Sequence, residues 1–243
     1  MSNWKDMLGV GFLGFELELI TFLLAVGIVR ADEGKMVKVS ANGTVDLCAD
    51  GDIFLGKLAK IDTAGDVGGV QKCNFMEAPY TGAPGLGYQR LVANGAGGVR
   101  PPSAAVASHL VTGVVANNNA LLFTAKGAGT VGNDISIQLK DPGAFSQALS
   151  VDVVGRDIIV SLATGADPGN ITSTAAQVKA AIDASSAADL VTVANSGAST
   201  GAAAVVAAAL TSLAGGVDAD VGRPVDIVIV DAVAGTVTFE ICC

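Results

Sequence analysis

Apolar and acidic residues alternate near the start of the chain. Phe15, Leu17 and Leu19 fall on one set of positions, Glu16 and Glu18 on the other. A period of two belongs to a strand with one buried face. Thr21, Phe22, Val26, Ile28 and Val29 continue the strand-favouring composition, so residues 1–33 are expected to form an extended arm leading into a first strand. Two other readings fit less well. The apolar run from Met7 to Val29 is long enough to cross a bilayer. Glu16 and Glu18 lie inside it, however, and each ionised carboxylate near a bilayer centre costs about 2.5–3.5 kcal/mol. A signal peptide needs a basic start, whereas "MSNWKDMLG" offsets its one lysine with an aspartate; only "AVGIVRA" imitates a cleavage site.

From residue 34 to about 100 the pattern is that of short strands. "GKMVKVS", "TVDLCA", "IFLGKLAKID", "VGGVQKCNFMEAPY" and "LGYQRLVANGAGGVR" are separated by "ANG", "DGD" and similar turns. Asn-Gly and Asp-Gly supply the positive φ that tight hairpins require. This spacing predicts a small barrel or sandwich. "RPPSAAVASHLVTG" (Arg100–Gly113) then reads as a linker.

A second unit follows. "NALLFTAKGAG" and "NDISIQLKD" are strand-like, and "ALSVDVVGRDIIVSLAT" is a hairpin turning at Val154–Arg156. "TSTAAQVKAAIDAS" changes to a helical period behind a Ser/Thr cap, with Ala176, Val178 and Ile182 on its apolar side. "DLVTVANS" returns to strand, while the alanines of "GAAAVVAAALTSLAGG" leave helix and loop-plus-strand both open. "VGRPVDIVIVDAVAGTVTFEI" forms two strands about Val233–Gly235, with the texture of the first unit. "GGVRPP" and "VGRPV" look like the two edges of an interruption. The expected architecture is therefore mainly β with a smaller α+β module. A β-rich domain comprises residues 34–104 plus 219–243, interrupted by a sandwich-like α/β insertion at 105–218. A plain tandem order is the alternative.

Composition narrows the chemistry. The chain has 243 residues, a net charge of −9, 31 glycines and only 5% aromatics, so its core is built from small side chains. The negative charge argues against a general nucleic-acid binder, which uses Lys and Arg to displace phosphate counterions. Cys48, Cys73, Cys242 and Cys243 contain no C-x-x-C pair and are expected as free thiols, with an intersubunit disulfide at the terminal "ICC" as the sharper possibility. The single histidine, His109, falls in the expected linker, where a catalytic triad is not expected. "GAGTVGN" and "GDVGGV" match no phosphate-binding motif and read as turns. "DLCADGD" carries Asp46, Asp50 and Asp52 but lacks the twelfth-position Glu of a calcium loop, so a turn is the better reading. Glu16 and Glu18 would act as a pair only against a surface that supplies Arg or Lys. No catalytic, cofactor-binding or metal site is expected. A long apolar arm of this kind favours a protein that assembles with others.

Three stretches carry a resemblance: "EGKMVKVSANGTVDLCADGDIFLGKLAKID", "APYTGAPGLGYQRLVANGAGGVR" and "GRPVDIVIVDAVAGTVTFEI". They resemble head decoration, or capsid cement, proteins of tailed bacteriophages. The matching patterns are the strand Gly34–Val39, the "A.DGD...G" turn at Ala49–Gly56 and the "PY.G..P..GY..L" stretch at Pro79–Leu91. The middle of the chain resembles a module added to phage virion proteins of both head and tail.

The resemblance implies a β-tulip-like decoration domain and a non-enzymatic virion protein made in the host cytoplasm. Such a protein binds the outer face of the shell, partners the major capsid protein and itself, commonly as a homotrimer, and needs no cofactor, nucleic acid or membrane. Its arm would add a strand to the capsid protein, with Phe12, Phe15, Leu17, Leu19 and Phe22 as candidate anchors. Other readings are a tail tube or sheath component and, in another class, a secreted adhesin or surface-layer protein.

Overall fold

The computed structural model describes residues 19–167 and 170–241. The chain divides into two compact units, one comprising the residues up to Ser103 and those from Asp220 onward, the other Ala104–Ala219.

The first unit contains a closed barrel of β1 (Leu19–Leu24), β2 (Met36–Ala41), β3 (Thr44–Leu47), β4 (Gly56–Ile61) and β5 (Val67–Gln71), in the order β1-β3-β2-β4-β5. The β2–β3 hairpin turns at Asn42-Gly43, where Gly43 has a φ of +73°. β1 closes the barrel, parallel to β3 (Leu23 opposite Thr44) and antiparallel to β5 (Leu19 opposite Gln71). Val37, Val45, Leu58, Ile61 and Val70 fill the interior, with Phe22 and Leu24 packed against them. So narrow an interior explains "VGGV". Gly68 and Gly69 lie inside β5, which follows the strand reading of "VGGVQKCNFMEAPY" and overturns the turn reading of "GDVGGV". A Cβ on Gly68 would stand 2.7 Å from Leu58 Cδ1 and 2.8 Å from Leu24 Cδ2, so the missing side chain makes room for two leucines.

Beside the barrel lies a sheet of β6 (Asn74–Pro79), β7 (Gly87–Ala93), β8 (Val99–Arg100), β16 (Arg223–Asp231) and β17 (Thr236–Ile241), in the order β6-β17-β16-β7-β8. The last two strands in sequence are thus the central ones. They bring Val225, Ile227, Val237, Phe239 and Ile241 against Met36, Phe54, Met76 and Leu91. Phe54 and Phe239 meet edge to face with ring centroids 5.9 Å apart.

The second unit comprises β9 (Ala107–Thr112), β10 (Leu121–Ala128), β11 (Ser136–Lys140), β12 (Ser150–Val154), β13 (Asp157–Ser161), α1 (Ala175–Asp183), β14 (Val191–Asn195) and β15 (Ala208–Ser212). They form two sheets, β14-β10-β9 and β12-β13-β11-β15. The start of α1 is fixed by a reciprocal cap: Gln177 N–H donates to Thr174 Oγ1, and Thr174 N–H donates to Gln177 Oε1. Its inner face buries Ala175, Val178 and Ile182. The alanine-rich segment resolves as loop plus strand: Ala204 bridges to Thr174, and β15 follows.

The expected linker Arg100–Gly113 is overturned in its second half. Residues 107–112 form β9, and His109 sits within it, opposite Thr124. Its N–H donates to Ala214 O at 2.9 Å, and Ala214 N–H returns a bond to His109 O at 3.0 Å. Two-sided backbone pairing prevailed over a composition that reads as flexible.

Candidate functional site

β1 is the most anomalous element. Its sequence, LITFLL, is apolar except for Thr21, yet most of it faces solvent. Only Phe22 and Leu24 pack against the barrel interior. Leu19 is 44% exposed and Leu23 54%, and the exposed apolar run continues through Val26 and Val29 beyond the strand. Burying a leucine or valine contributes about 1.5–3 kcal/mol, so a stripe of this kind is a large unrealised association energy. The segment after β1 is held in place locally. Asp32 Oδ2 accepts from Val29 N–H at 2.8 Å and Asp32 Oδ1 from Lys35 Nζ at 2.7 Å. These bonds hold the Asp32 carboxyl below its ordinary pKa.

Of the expected anchors, Phe12, Phe15 and Leu17 lie outside the described residues. Leu19 and Phe22 share β1 but not a face: Leu19 is presented outward, while Phe22 is half-buried against its own barrel. Closure of the barrel turns Phe22 inward, where it packs against the barrel interior.

A second apolar area, absent from the sequence-based candidates, lies on the outer face of the other sheet. Tyr88 stands opposite Asp226, and one position beyond the Gly87–Ile227 pair come Leu86 and Val228. Leu86, Tyr88 and Val228 are all exposed. The "GLGY" stretch could have pointed to it, since Leu86 and Tyr88 flank Gly87 on alternate positions.

A groove of about 700 Å³ opens in the first unit, lined by Lys38, Val39, Ile53, Phe54, Lys72 and Arg223, among others. Arg223 begins β16, and its Nη1 donates to the carbonyls of Phe54, at 3.1 Å, and Leu55. Its guanidinium carbon stands 5.8 Å from the Phe54 ring centroid. Burial lowers its pKa, as expected for a cation removed from water. Lys38 is compensated by Asp52 at 2.6 Å. Among the described residues, no carboxylate pairs with Arg223 or Lys72.

The acidic loop after β3 has no metal-site geometry. Asp52 Oδ2 accepts from Lys38 Nζ and from Ala49 N–H at 2.7 Å, Asp46 accepts from Leu47 N–H at 2.8 Å, and Asp50 pairs with Arg100. These partners draw the three carboxylates apart. Among the described residues, no group of three or more His, Cys, Asp or Glu side chains could hold a metal ion. Cys48 is a buried free thiol whose pKa is pushed up to about 12, chiefly by burial, so it stays protonated. Cys73, by contrast, is disulfide-bonded, which overturns the expectation of free thiols there. Cys242 and Cys243 lie outside the described residues. No helix among the described residues is long and apolar enough to cross a membrane.

Arg100 centres a network of charged hydrogen bonds. Its Nε donates to Asp50 Oδ1 at 2.7 Å, and its Nη1 to Asp220 Oδ2 at 2.8 Å and Ser103 Oγ at 3.0 Å. Ser103 N–H also donates to Asp220 Oδ2, at 2.9 Å. The cluster fastens the two places where the chain leaves and rejoins the first unit. Both carboxyls are held below their ordinary range, Asp50 chiefly by the bond from Arg100 and Asp220 chiefly by the bond from Ser103 N–H, with Arg100 next.

No protein-family model, curated protein or solved structure matches this chain.

Proposed function

We propose that this chain is a virion structural protein that binds and stabilises the outer surface of a tailed-phage capsid, without catalytic activity. The observation that carries the reading is β1: an apolar barrel strand that leaves Leu19 and Leu23 on the surface, followed by exposed Val26 and Val29. A protein that acts alone gains nothing from such a stripe, whereas one that seats on a larger surface buries it. The resemblance of Gly34–Val39, Ala49–Gly56 and Pro79–Leu91 to decoration proteins names the surface. The mainly β first unit with its closed barrel is compatible with a compact decoration domain. In this reading Leu19, Leu23, Val26 and Val29 face the major capsid protein, the segment containing Phe12, Phe15 and Leu17 extends the contact, and copies gather in threes. Repetition over many shell sites multiplies a modest contact into resistance to internal pressure.

The test is an electron cryomicroscopy reconstruction of the phage particle that carries the chain. Density for the chain on the outer shell at local three-fold positions is expected. Finding it in stacked hexameric rings of the tail, or not in the particle at all, would overturn the proposal.

A further inference from the structure

Asn-Gly occurs twice in the chain, at Asn42-Gly43 and Asn94-Gly95, and the fold treats the two pairs differently. Both glycines take a positive φ, +73° at Gly43 and +70° at Gly95. Asn94 is tied down. Its Oδ1 accepts from Ala96 N–H at 3.0 Å and from Gly98 N–H at 2.9 Å, and a Cβ on Gly95 would stand 3.1 Å from the backbone nitrogen of Asp50. Asn42 is exposed together with Gly43 at the tip of the β2–β3 hairpin. Among the described residues, neither the Asn42 side chain nor Gly43 N–H makes a hydrogen bond, and a Cβ on Gly43 would meet nothing within 4 Å. An asparagine amide is an electrophile within reach of the next backbone nitrogen, and glycine puts no Cβ in the way of the attack.

We infer that Asn42-Gly43 is a site of self-modification whose product loosens β1. The Gly43 nitrogen attacks Asn42 Cγ. The new N–Cγ bond closes a five-membered imide, the Cγ–Nδ2 bond breaks, and Nδ2 leaves as ammonia with the proton that the Gly43 nitrogen gives up. Water then opens the imide. Addition at Cγ breaks the new bond, returns a proton to the Gly43 nitrogen and leaves an aspartate at position 42. Addition at the Asn42 main-chain carbonyl instead leaves an isoaspartate, in which the backbone reaches Gly43 through Cβ and Cγ and is one carbon longer. Water is the sole co-reactant, and either product adds a negative charge.

The longer backbone matters because of what Gly43 holds. Its carbonyl accepts from Leu23 N–H at 2.9 Å. β1 and β3 pair only at Leu23–Thr44 and Leu24–Val45, whereas β1 and β5 pair from Leu19 through Leu23. An extra carbon at the hairpin tip displaces the Gly43 carbonyl and removes a bond from the shorter seam. The barrel then opens between β1 and β3 while β1 stays on β5. The inference needs only the barrel and its hairpin, so it and the capsid reading can fail separately.

The experiment ages the full chain in mildly alkaline buffer, with a mildly acidic sample as the slow control. Peptide mapping by mass spectrometry follows both asparagines, and labelling with an isoaspartate methyltransferase marks the longer product. Conversion at Asn42 should outpace conversion at Asn94 by about tenfold or more, since only Asn42 is free to move. Anion exchange then separates the isoaspartate fraction, in which the Leu23 amide should exchange hydrogen about tenfold faster than in fresh chain. Asn42→Ser removes the electrophile and, once circular dichroism verifies its fold, should keep the Leu23 amide protected through the same ageing. An Asn42 that converts no faster than Asn94, or an isoaspartate fraction whose Leu23 amide exchanges as in fresh chain, would overturn the inference. Equal loss of Leu23 protection in the folded Asn42→Ser variant would do the same.

Discussion

Gly56 and Gly68 separate two kinds of crowding within one barrel. A Cβ on Gly56 would lie 2.1 Å from the backbone oxygen of Gln71, which cannot move without parting β4 from β5. At Gly68 the neighbours are the methyl ends of Leu24 and Leu58, which can rotate. Gly56→Ala is therefore expected to destabilise by about 2–3 kcal/mol and Gly68→Ala by about 1 kcal/mol or less, read as a difference in urea midpoint at constant slope. The strands around both glycines were legible in "IFLGKLAKID" and "VGGVQKCNFMEAPY", but the reason for glycine was not, because only the packed interior shows what a side chain would meet there.

The Arg100 cluster makes a further prediction at this scale. Asp50 and Asp220 titrate below the ordinary carboxylate range in the folded chain, so their contribution is fully present above the unfolded value of about 4 and is lost as pH falls through the folded values. Asp220→Asn should cost about 1 kcal/mol at pH 7. The gap between variant and parent should narrow steadily below pH 4 in denaturant titrations. A gap that stays constant to pH 2 would mean that the carboxylate charge is not what holds the cluster.

Among the elements, β1 shows how far an alternating pattern can be read. The strand character was legible from Leu19 onward, since residues of this type recur in half-buried strands. The face was not. The sequence grouped Leu19 and Phe22 together as anchors, whereas closure against β3 and β5 turns Phe22 and Leu24 inward and leaves Leu19 outward. Register is fixed by pairing partners, which a single strand's sequence does not contain. His109 illustrates the same limit: small residues around it suggested a linker, but β10 on one side and Ala214 on the other hold it in β9. The charged half of the groove was equally hidden, because Lys38, Lys72 and Arg223 are far apart in sequence and meet only through the fold.

Two predictions belong to β1. Removing residues 1–18 should leave the barrel closed, whereas removing residues 1–30 takes away β1 and should expose its interior, seen as a lower thermal midpoint and binding of a hydrophobic dye. Leu19→Glu with Leu23→Glu should leave the fold intact, since both side chains face outward, but reduce cosedimentation with undecorated phage heads at least tenfold. Unchanged cosedimentation would remove β1 from the shell contact.

For the whole molecule, β16 and β17 lie between β6 and β7, so the first unit needs strands from both sides of the second. Replacing residues 105–218 with a short Gly/Ser bridge should yield a soluble, cooperatively unfolding β protein. Ending the chain at residue 104 should instead leave β6 and β7 without their central neighbours and produce aggregates on size-exclusion chromatography. If the shortened chain proved soluble and the bridged one did not, the shared sheet would not be what holds the first unit together.

The same strand order sets a timetable during synthesis. Everything the second unit needs emerges from the ribosome ahead of β16, so that unit can begin to settle while the first still waits for its middle strands. Throughout that interval Met76 and Leu91 have none of their eventual cover from Val225, Ile227, Val237 and Phe239. A nascent chain held in this half-made state is a natural client for chaperones, and slow translation between Ala104 and Ala219 would lengthen its exposure.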